Sequence, residues 1–369
     1  MDRRAFITSA SAAAFATAKS ATAARKADKP LRILLLGGTR FMGLHITEFG
    51  LQRGHSVTFF NRGKTNPGRF PQVERLLGDR NGAIDTLKGK SWDAVIDTSG
   101  YVPRHVKLSA ELLAPHVQQY LFVSSISVYP SFAQPMTEDS PVGRLADEST
   151  EKVDGETYGP LKALCEKAAQ TAMPGRVTVL RPGLIVGPDD NTDRFTYWPA
   201  RAARGGAMIA PNTPSDPIQF IDARDLAVFT LDVLEQKTLG VFNVISPPGK
   251  YTIGKLVDAS VSAAESLVKP EPKPKPVWIS TDFLEQQKVT PWQDMPVWFP
   301  PVGETAAGAQ TSAARAIKAG LRVSDIERTV RDTLAWHLGR PQAERIKLKA
   351  GIAPDKEKEV LSAWEARQS

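Results

Sequence analysis

Hydrophobic and polar positions switch between a period of two and a helical period along most of the chain. Residues 31–36 read LRILLL, apolar except for Arg32, which is the pattern of a strand covered on both faces. A glycine turn follows, and the apolar positions of 42–53 fall at helical spacing. Short β-rich runs recur at 55–60, 73–77, 93–97 and 120–124, a helical stretch fills 156–172, and a further strand is predicted at 177–180. Apolar strands alternating with helices predict an α/β fold with a doubly wound parallel sheet. Parallel strands need crossovers, and the crossover helices cover both sheet faces.

The texture changes after Pro188. Residues 191–206 hold aromatics and three arginines, Arg194, Arg201 and Arg204, whereas 218–226 and 241–245 return to sheet-like text. The run KPEPKPKP at 269–276 reads as an extended polyproline spacer, and Trp278, Trp292 and Trp298 follow among prolines. Residues 312–337 are predicted helical, and the mixed-charge stretch 341–369 reads as a peripheral tail helix. The expected organisation is a sheet domain over 31–188 that returns at about 218–246. A smaller C-terminal substrate-binding lobe would be built from 189–217 and 247–340.

Composition narrows the possibilities. With 369 residues, 41% hydrophobic and 24% charged, the chain can bury a large core, which excludes wholesale disorder. A single cysteine, Cys165, excludes an internal disulfide framework and any multi-thiolate metal site. The five histidines have no metal-ligand spacing, so no metal is expected. A formal charge of +7 raises the question of an anionic partner, nucleic acid being the obvious one.

Part of that charge belongs to the leader. Arg3-Arg4 precedes apolar and Ala-rich text with Ala-x-Ala sites at 16–18 and 21–23, which reads as a twin-arginine export signal over 1–23. The alternative is a disordered basic leader. The apolar run is too short to span roughly 30 Å of hydrocarbon, and no later segment reaches membrane-spanning length. Such a signal implies engagement of the export machinery, folding before export, and a periplasmic destination. Residues 1–23 carry Arg3, Arg4 and Lys19 against Asp2, a net +2, so without them the formal charge falls to +5.

Between the first strand and first helix lies Gly37-Gly38-Thr39-Arg40-Phe41-Met42-Gly43. Glycines there permit a tight turn and let backbone amides approach a pyrophosphate at a helix N-terminus, the Rossmann-like arrangement. Arg40 replaces the middle glycine of a G-x-x-G-x-x-G loop. Asn61 and Arg62 stand where an acid would hold the ribose 2′-hydroxyl of NAD. Arg40 and Arg62 suit the 2′-phosphate of NADP as a charge-assisted clamp; otherwise they are solvated rim residues. Asp79, after the third strand, can reach an adenine or simply close a turn.

Tyr158 and Lys162 lie four apart, on one helical face. A free tyrosine ionises near pH 10, and a nearby cation favours its phenolate, which can then exchange a proton with a substrate hydroxyl. The run Ser124-Ser125-Ile126-Ser127-Val128-Tyr129 follows a strand whose carboxyl end opens on the ligand crevice of a doubly wound sheet.

In combination these motifs resemble an extended short-chain dehydrogenase/reductase of the NAD-dependent epimerase/dehydratase family, over most of 31–340. The resemblance implies Ser125 as catalytic serine, Tyr158 as acid/base, and Lys162 as the group that binds the nicotinamide ribose and tunes Tyr158. It also implies main chain near Ser99 and Gly100 beside the cofactor, Pro182 in the loop leading to the substrate lobe, and a homodimer through helices flanking the sheet. Family dehydratases place Asp-Glu where Ile126 and Ser127 stand. Nucleotide-sugar epimerases carry Asn at the position of Leu184 and an arginine near Ile218.

The expected function is an exported oxidoreductase or epimerase acting on a hydroxyl or carbonyl of a sugar-like small molecule. Its NADP, or alternatively NAD, would be tightly bound, since a periplasmic enzyme has no pool of fresh nicotinamide. The glycine loop also resembles chloroplast stem-loop RNA-binding relatives, which makes a non-catalytic binding protein the alternative. No arginine-rich face interleaved with aromatics is visible, so no nucleic-acid partner is expected.

Overall fold

The computed structural model describes residues 25–368, and the leader at 1–23 lies outside them. The first elements are β1 (Arg32–Leu36), α1 (Met42–Arg53), β2 (Ser56–Asn61), β3 (Glu74–Leu77), β4 (Ala94–Asp97), α2 (Pro103–Leu113), β5 (Gln119–Val123), α3 (Tyr158–Ala172) and β6 (Val177–Pro182). Then come β7 (Ile185–Val186), α4 (Tyr197–Ala202), β8 (Ala207–Pro211), β9 (Pro217–Ile218), β10 (Ile221–Asp222), α5 (Ala223–Glu235), β11 (Gly240–Val244) and β12 (Tyr251–Thr252). The last are α6 (Ile253–Leu267), β13 (Lys275–Ile279), α7 (Thr281–Gln286), α8 (Ala314–Lys318), α9 (Ile326–Leu338), α10 (Gln342–Ile346) and α11 (Pro354–Gln368).

Seven strands form one sheet in the order β11-β6-β5-β4-β1-β2-β3, every pairing parallel. The order reverses between β1 and β4, where Leu36 lies opposite Asp97, and such a reversal opens a crevice beyond the strand ends. Along β1, Ile33 and Leu35 pack with Phe59, Leu121 and Phe229, while Leu34 and Leu36 pack with Phe60, Tyr120 and Val106. Successive side chains point to opposite faces, so a strand covered on both must be apolar throughout. Each such side chain contributes about 1.5–3 kcal/mol, and truncating Leu34 to alanine would remove about 2–5 kcal/mol. Cys165 is one of these packed residues, on the α2–α3 side. Helix α1 ends at Gly54, held at φ 93°, whose amide closes back on Gly50 and Leu51.

A third apolar cluster, with Trp198, Ile209, Phe220, Leu256, Trp298 and Val330, lies beyond the sheet. Three expectations change here. The stretch 312–337 is two helices, because Ala316 and Leu321 pack on the sheet side, whereas Ile326 and Val330 pack into the third cluster. The turn between them passes through Gly320 at φ 103°. Residues 269–276 are not a free spacer: Lys275 and Pro276 open β13, which pairs in parallel with β8. Pro276 is tolerated there because β13 has a partner on one side only. Helix α11 is not peripheral, since Val360 is buried in the third cluster and buried Glu357 accepts from Arg201 Nε at 2.6 Å.

Candidate active site

The glycine loop leaves β1 at the sheet reversal. Gly37 and Gly38 adopt φ 97° and 81°, and a Cβ on Gly43 would stand 2.6 Å from the Gly38 carbonyl oxygen, so only glycine lets α1 start against the turn. Two asparagines pull the loop carbonyls to one side: Asn61 Nδ2 donates to Gly37 O at 3.0 Å and Asn66 Nδ2 to Thr39 O at 2.8 Å. Among the described residues, the amides of Gly38, Thr39, Arg40 and Phe41 have no acceptor. Phe41 sits at φ 43°, a conformation costing a non-glycine residue about 1–3 kcal/mol. Helix α1 begins at Met42 with no side-chain cap and no acid in its first turn. Free amides and an uncapped helix start make a cradle that suits a diphosphate.

Around this cradle the side chains divide. Asn61 serves the main chain, since its Oδ1 also accepts from Gly63 N at 2.9 Å. Arg40 and Arg62 line the cleft, are exposed, and make no ion pair among the described residues. Asp79 lines the cleft too, its carboxylate accepting from Asn81 N at 2.9 Å.

Strand β5 leads into a single tight turn, Ile126–Val128, capped by Ser125, whose Oγ accepts from Ser127 N at 3.1 Å. Helix α3 is pressed onto this turn: a Cβ on Gly159 would stand 1.9 Å from Ser127 O. That contact sets Tyr158 beside Ser125 in the cleft, with the Tyr101 ring 6.3 Å away. Sequence spacing suggests a phenol lowered by Lys162; instead, burial pushes Tyr158 up, and the Ser125 hydroxyl and Arg194 only partly counter this. The reason is where Lys162 points. Its Nζ donates to Val123 O at 2.6 Å and Gly100 O at 2.8 Å, 4.3 Å from the Phe122 ring centroid. Burial lowers its ammonium to about 8. Ser124, only 4% exposed, lines the cleft with an Oγ that has no partner among the described residues. Burial pushes the Cys165 thiol up to about 12, which keeps it an inert packing residue.

Beneath the loop after β4 lies a buried ionic network. Asp97, 0% exposed, accepts from Arg80 Nη1 at 2.5 Å, Tyr120 OH at 2.7 Å and Ser99 N at 3.0 Å. Arg80 also donates to His105 O and Ser109 Oγ, while Ser99 Oγ donates to Leu36 O at 3.2 Å. The loop whose Gly100 carbonyl holds Lys162 is thereby tied to the end of β1.

The cleft has a volume of about 1620 Å³ and continues past Pro182 toward the third cluster, where Leu184, Ile218, Ile245, Val297 and Phe299 line it. Leu184 and Ile218, read as departures from nucleotide-sugar enzymes, do face the cleft. Of the three arginines, Arg201 is buried against Glu357, and Arg204 lies 3.6 Å from the same carboxylate. Only Arg194 lines the cleft. Tyr197 and Trp198 are core residues, whereas Trp292 lines the cleft, stacked on Phe299 at 4.7 Å.

Over residues 33–245 the chain matches the NAD dependent epimerase/dehydratase family, more than half its length. The chain belongs to this family. It is 28% identical over 244 residues to the chloroplast stem-loop binding protein of 41 kDa b of Arabidopsis thaliana, a match covering 59% of each chain. It is 26% identical over 289 residues to epimerase family protein SDR39U1 of Bos taurus, covering 71% of this chain and 92% of that one. The structure of UDP-glucose 4-epimerase from Bifidobacterium longum in complex with NAD+ and UDP superposes with a TM-score of 0.57, covering 85% of this chain and all of that one at 18% identity. At that identity the likeness establishes the shared fold.

The chain brings Gly37–Gly43 of the loop, Ser99, Ser125, Tyr158 and Pro182 together around one cleft with Lys162 at its floor, whereas Gly100 is buried behind it and reaches the site only through its carbonyl on Lys162. Sequence reasoning missed Asn66, Ser124 and the Arg80–Asp97–Tyr120 network. Asn66 carries no motif, Ser124 stands in the strand-end run of which only Ser125 is assigned a role, and the network joins residues whose neighbours in sequence give no hint of the pairing.

Proposed function

We propose that the protein is a nicotinamide-dependent oxidoreductase or epimerase acting on a hydroxyl or carbonyl of a small sugar-like molecule. One observation supports this most: Ser125 and Tyr158 meet in the cleft beside a glycine cradle whose amides lack acceptors. The bound nicotinamide would supply the hydride acceptor or donor. Ser125 Oγ hydrogen-bonds the reacting oxygen, and Tyr158 OH exchanges the proton with it. Burial keeps Tyr158 protonated at neutral pH, ready to donate, while Ser125 and Arg194 favour the phenolate when a substrate hydroxyl is oxidised. Lys162 has three N–H donors and gives two to Gly100 and Val123, leaving one for a ribose hydroxyl.

Arg40 and Arg62, exposed at the rim, favour NADP over NAD. Export through the leader at 1–23 to the periplasm belongs to the same reading. There a tightly held cofactor must be regenerated in place, which epimerisation or coupled oxidation and reduction achieves. A homodimer through helices flanking the sheet completes it. The match to a stem-loop binding protein favours a second reading, nucleic-acid binding. Against it, Arg53, Arg80, Arg181 and Arg201 are buried in ion pairs and offer nothing to phosphates. Mass spectrometry of ligands released by denaturing the purified protein tests the first reading: stoichiometric nicotinamide dinucleotide is expected. Its absence, together with salt-dependent stem-loop RNA affinity indifferent to Tyr158→Phe, would favour the second.

A further inference from the structure

On the lobe side of the cleft, Arg194 is a half-buried cation with no ion pair among the described residues. It lies on the cleft wall, its guanidinium over the Trp292 ring at 5.3 Å. Its Nε donates to Thr192 Oγ1 at 3.2 Å, and no carboxylate lies within ion-pair distance among the described residues. Neither neighbouring acid pairs with it directly. Asp193 pairs with Arg340 at 2.8 Å and accepts from Lys349 N, while buried Asp190 accepts from Thr192 N and Oγ1 and acts on Arg194 through its charge from beyond ion-pair distance. Trp292 is held at φ 66°, so backbone strain is accepted to place its ring under Arg194. Beside this cation the lining is apolar, with Leu184, Ile218 and Phe299.

We infer that Arg194 is a substrate-anchoring residue and that the substrate is a hydroxy acid carrying a single carboxylate, rather than a nucleoside diphosphate sugar. A planar guanidinium with free terminal nitrogens accepts a carboxylate in two parallel hydrogen bonds, and shielding by Trp292 strengthens the pair. Arg194 is near enough to Tyr158 for their charges to interact, so an anchored acid of sugar size places a neighbouring hydroxyl at the phenol. This inference rests on the oxidoreductase reading.

The test uses the full-length protein as purified. Calorimetric titration compares D-glucuronate and D-galacturonate with D-glucose, D-galactose and UDP-glucose, and hydride transfer is followed by the absorbance of reduced nicotinamide. The acids should bind best. Arg194→Ala should weaken their binding by about 10- to 100-fold, with Arg194→Lys intermediate, and Tyr158→Phe should keep acid binding while losing hydride transfer. The inference is overturned if the acids bind no better than the neutral sugars or UDP-glucose, or if Arg194→Ala binds them like the native protein. Arg194-dependent acid binding without any hydride transfer would instead remove the oxidoreductase reading and leave the anion site standing.

Discussion

Replacing Arg80 by methionine removes the one cation that pairs with Asp97, and the structure sets what should follow. The methionine fills much of the same space, but Asp97 keeps only the Tyr120 hydroxyl and the Ser99 amide as partners, in a site with no solvent exposure. Breaking a buried pair this way costs about 3–5 kcal/mol, because a carboxylate is left in a low-dielectric interior. At about 2.1 cal/mol/K of unfolding entropy per residue, a chain of this length should lose about 4–7 °C in melting temperature. Asp97→Asn in the Arg80→Met background should restore most of it, since an Asn Oδ1 can accept from Ser99 N and its Nδ2 can donate to the Tyr120 hydroxyl, all without a charge. Calorimetric melting of the native, single and double variants measures both changes. A single variant within about 1 kcal/mol of native, or a double variant no better than the single, would refute the reasoning.

Three further outcomes are expected. Gly43→Ala should abolish nicotinamide dinucleotide binding, measured by tryptophan fluorescence, because its methyl would meet Gly38 backbone at 2.6 Å. Asp225 is pushed up to about 6 by burial and by Asp222, so its penalty is absent below about pH 4, grows as pH rises to 6, and is full above. Asp225→Asn should therefore gain up to about 3 kcal/mol at pH 7 and flatten the stability profile between pH 4 and 6. Exchanging both Arg40 and Arg62 for alanine should weaken NADPH binding more than NADH binding in equilibrium titrations; equal losses would place the two arginines outside the 2′-phosphate site.

The strand text of 31–36, the glycine loop and the Tyr158–Lys162 pair are local patterns, and the chain carries them into the structure where a doubly wound sheet requires them. Steric rules and burial on both faces act within a few residues, so an apolar run and a glycine at a turn determine their own structure. The departures at Leu184 and Ile218 were equally readable, because they are single residues at the mouth of strands. What only the tertiary structure decided is how charges far apart in sequence find one another. Arg201 and Arg194 stand seven residues apart in the same aromatic, basic stretch, yet one is paired with Glu357 from α11 and the other faces the cleft with no ion pair among the described residues. Lys162 shares a helical face with Tyr158, but the carbonyls of Val123 and Gly100, brought in by β5 and the loop after β4, hold its ammonium away. Ionic partners and pKa shifts depend on distance and burial in three dimensions, and no period along the chain encodes either.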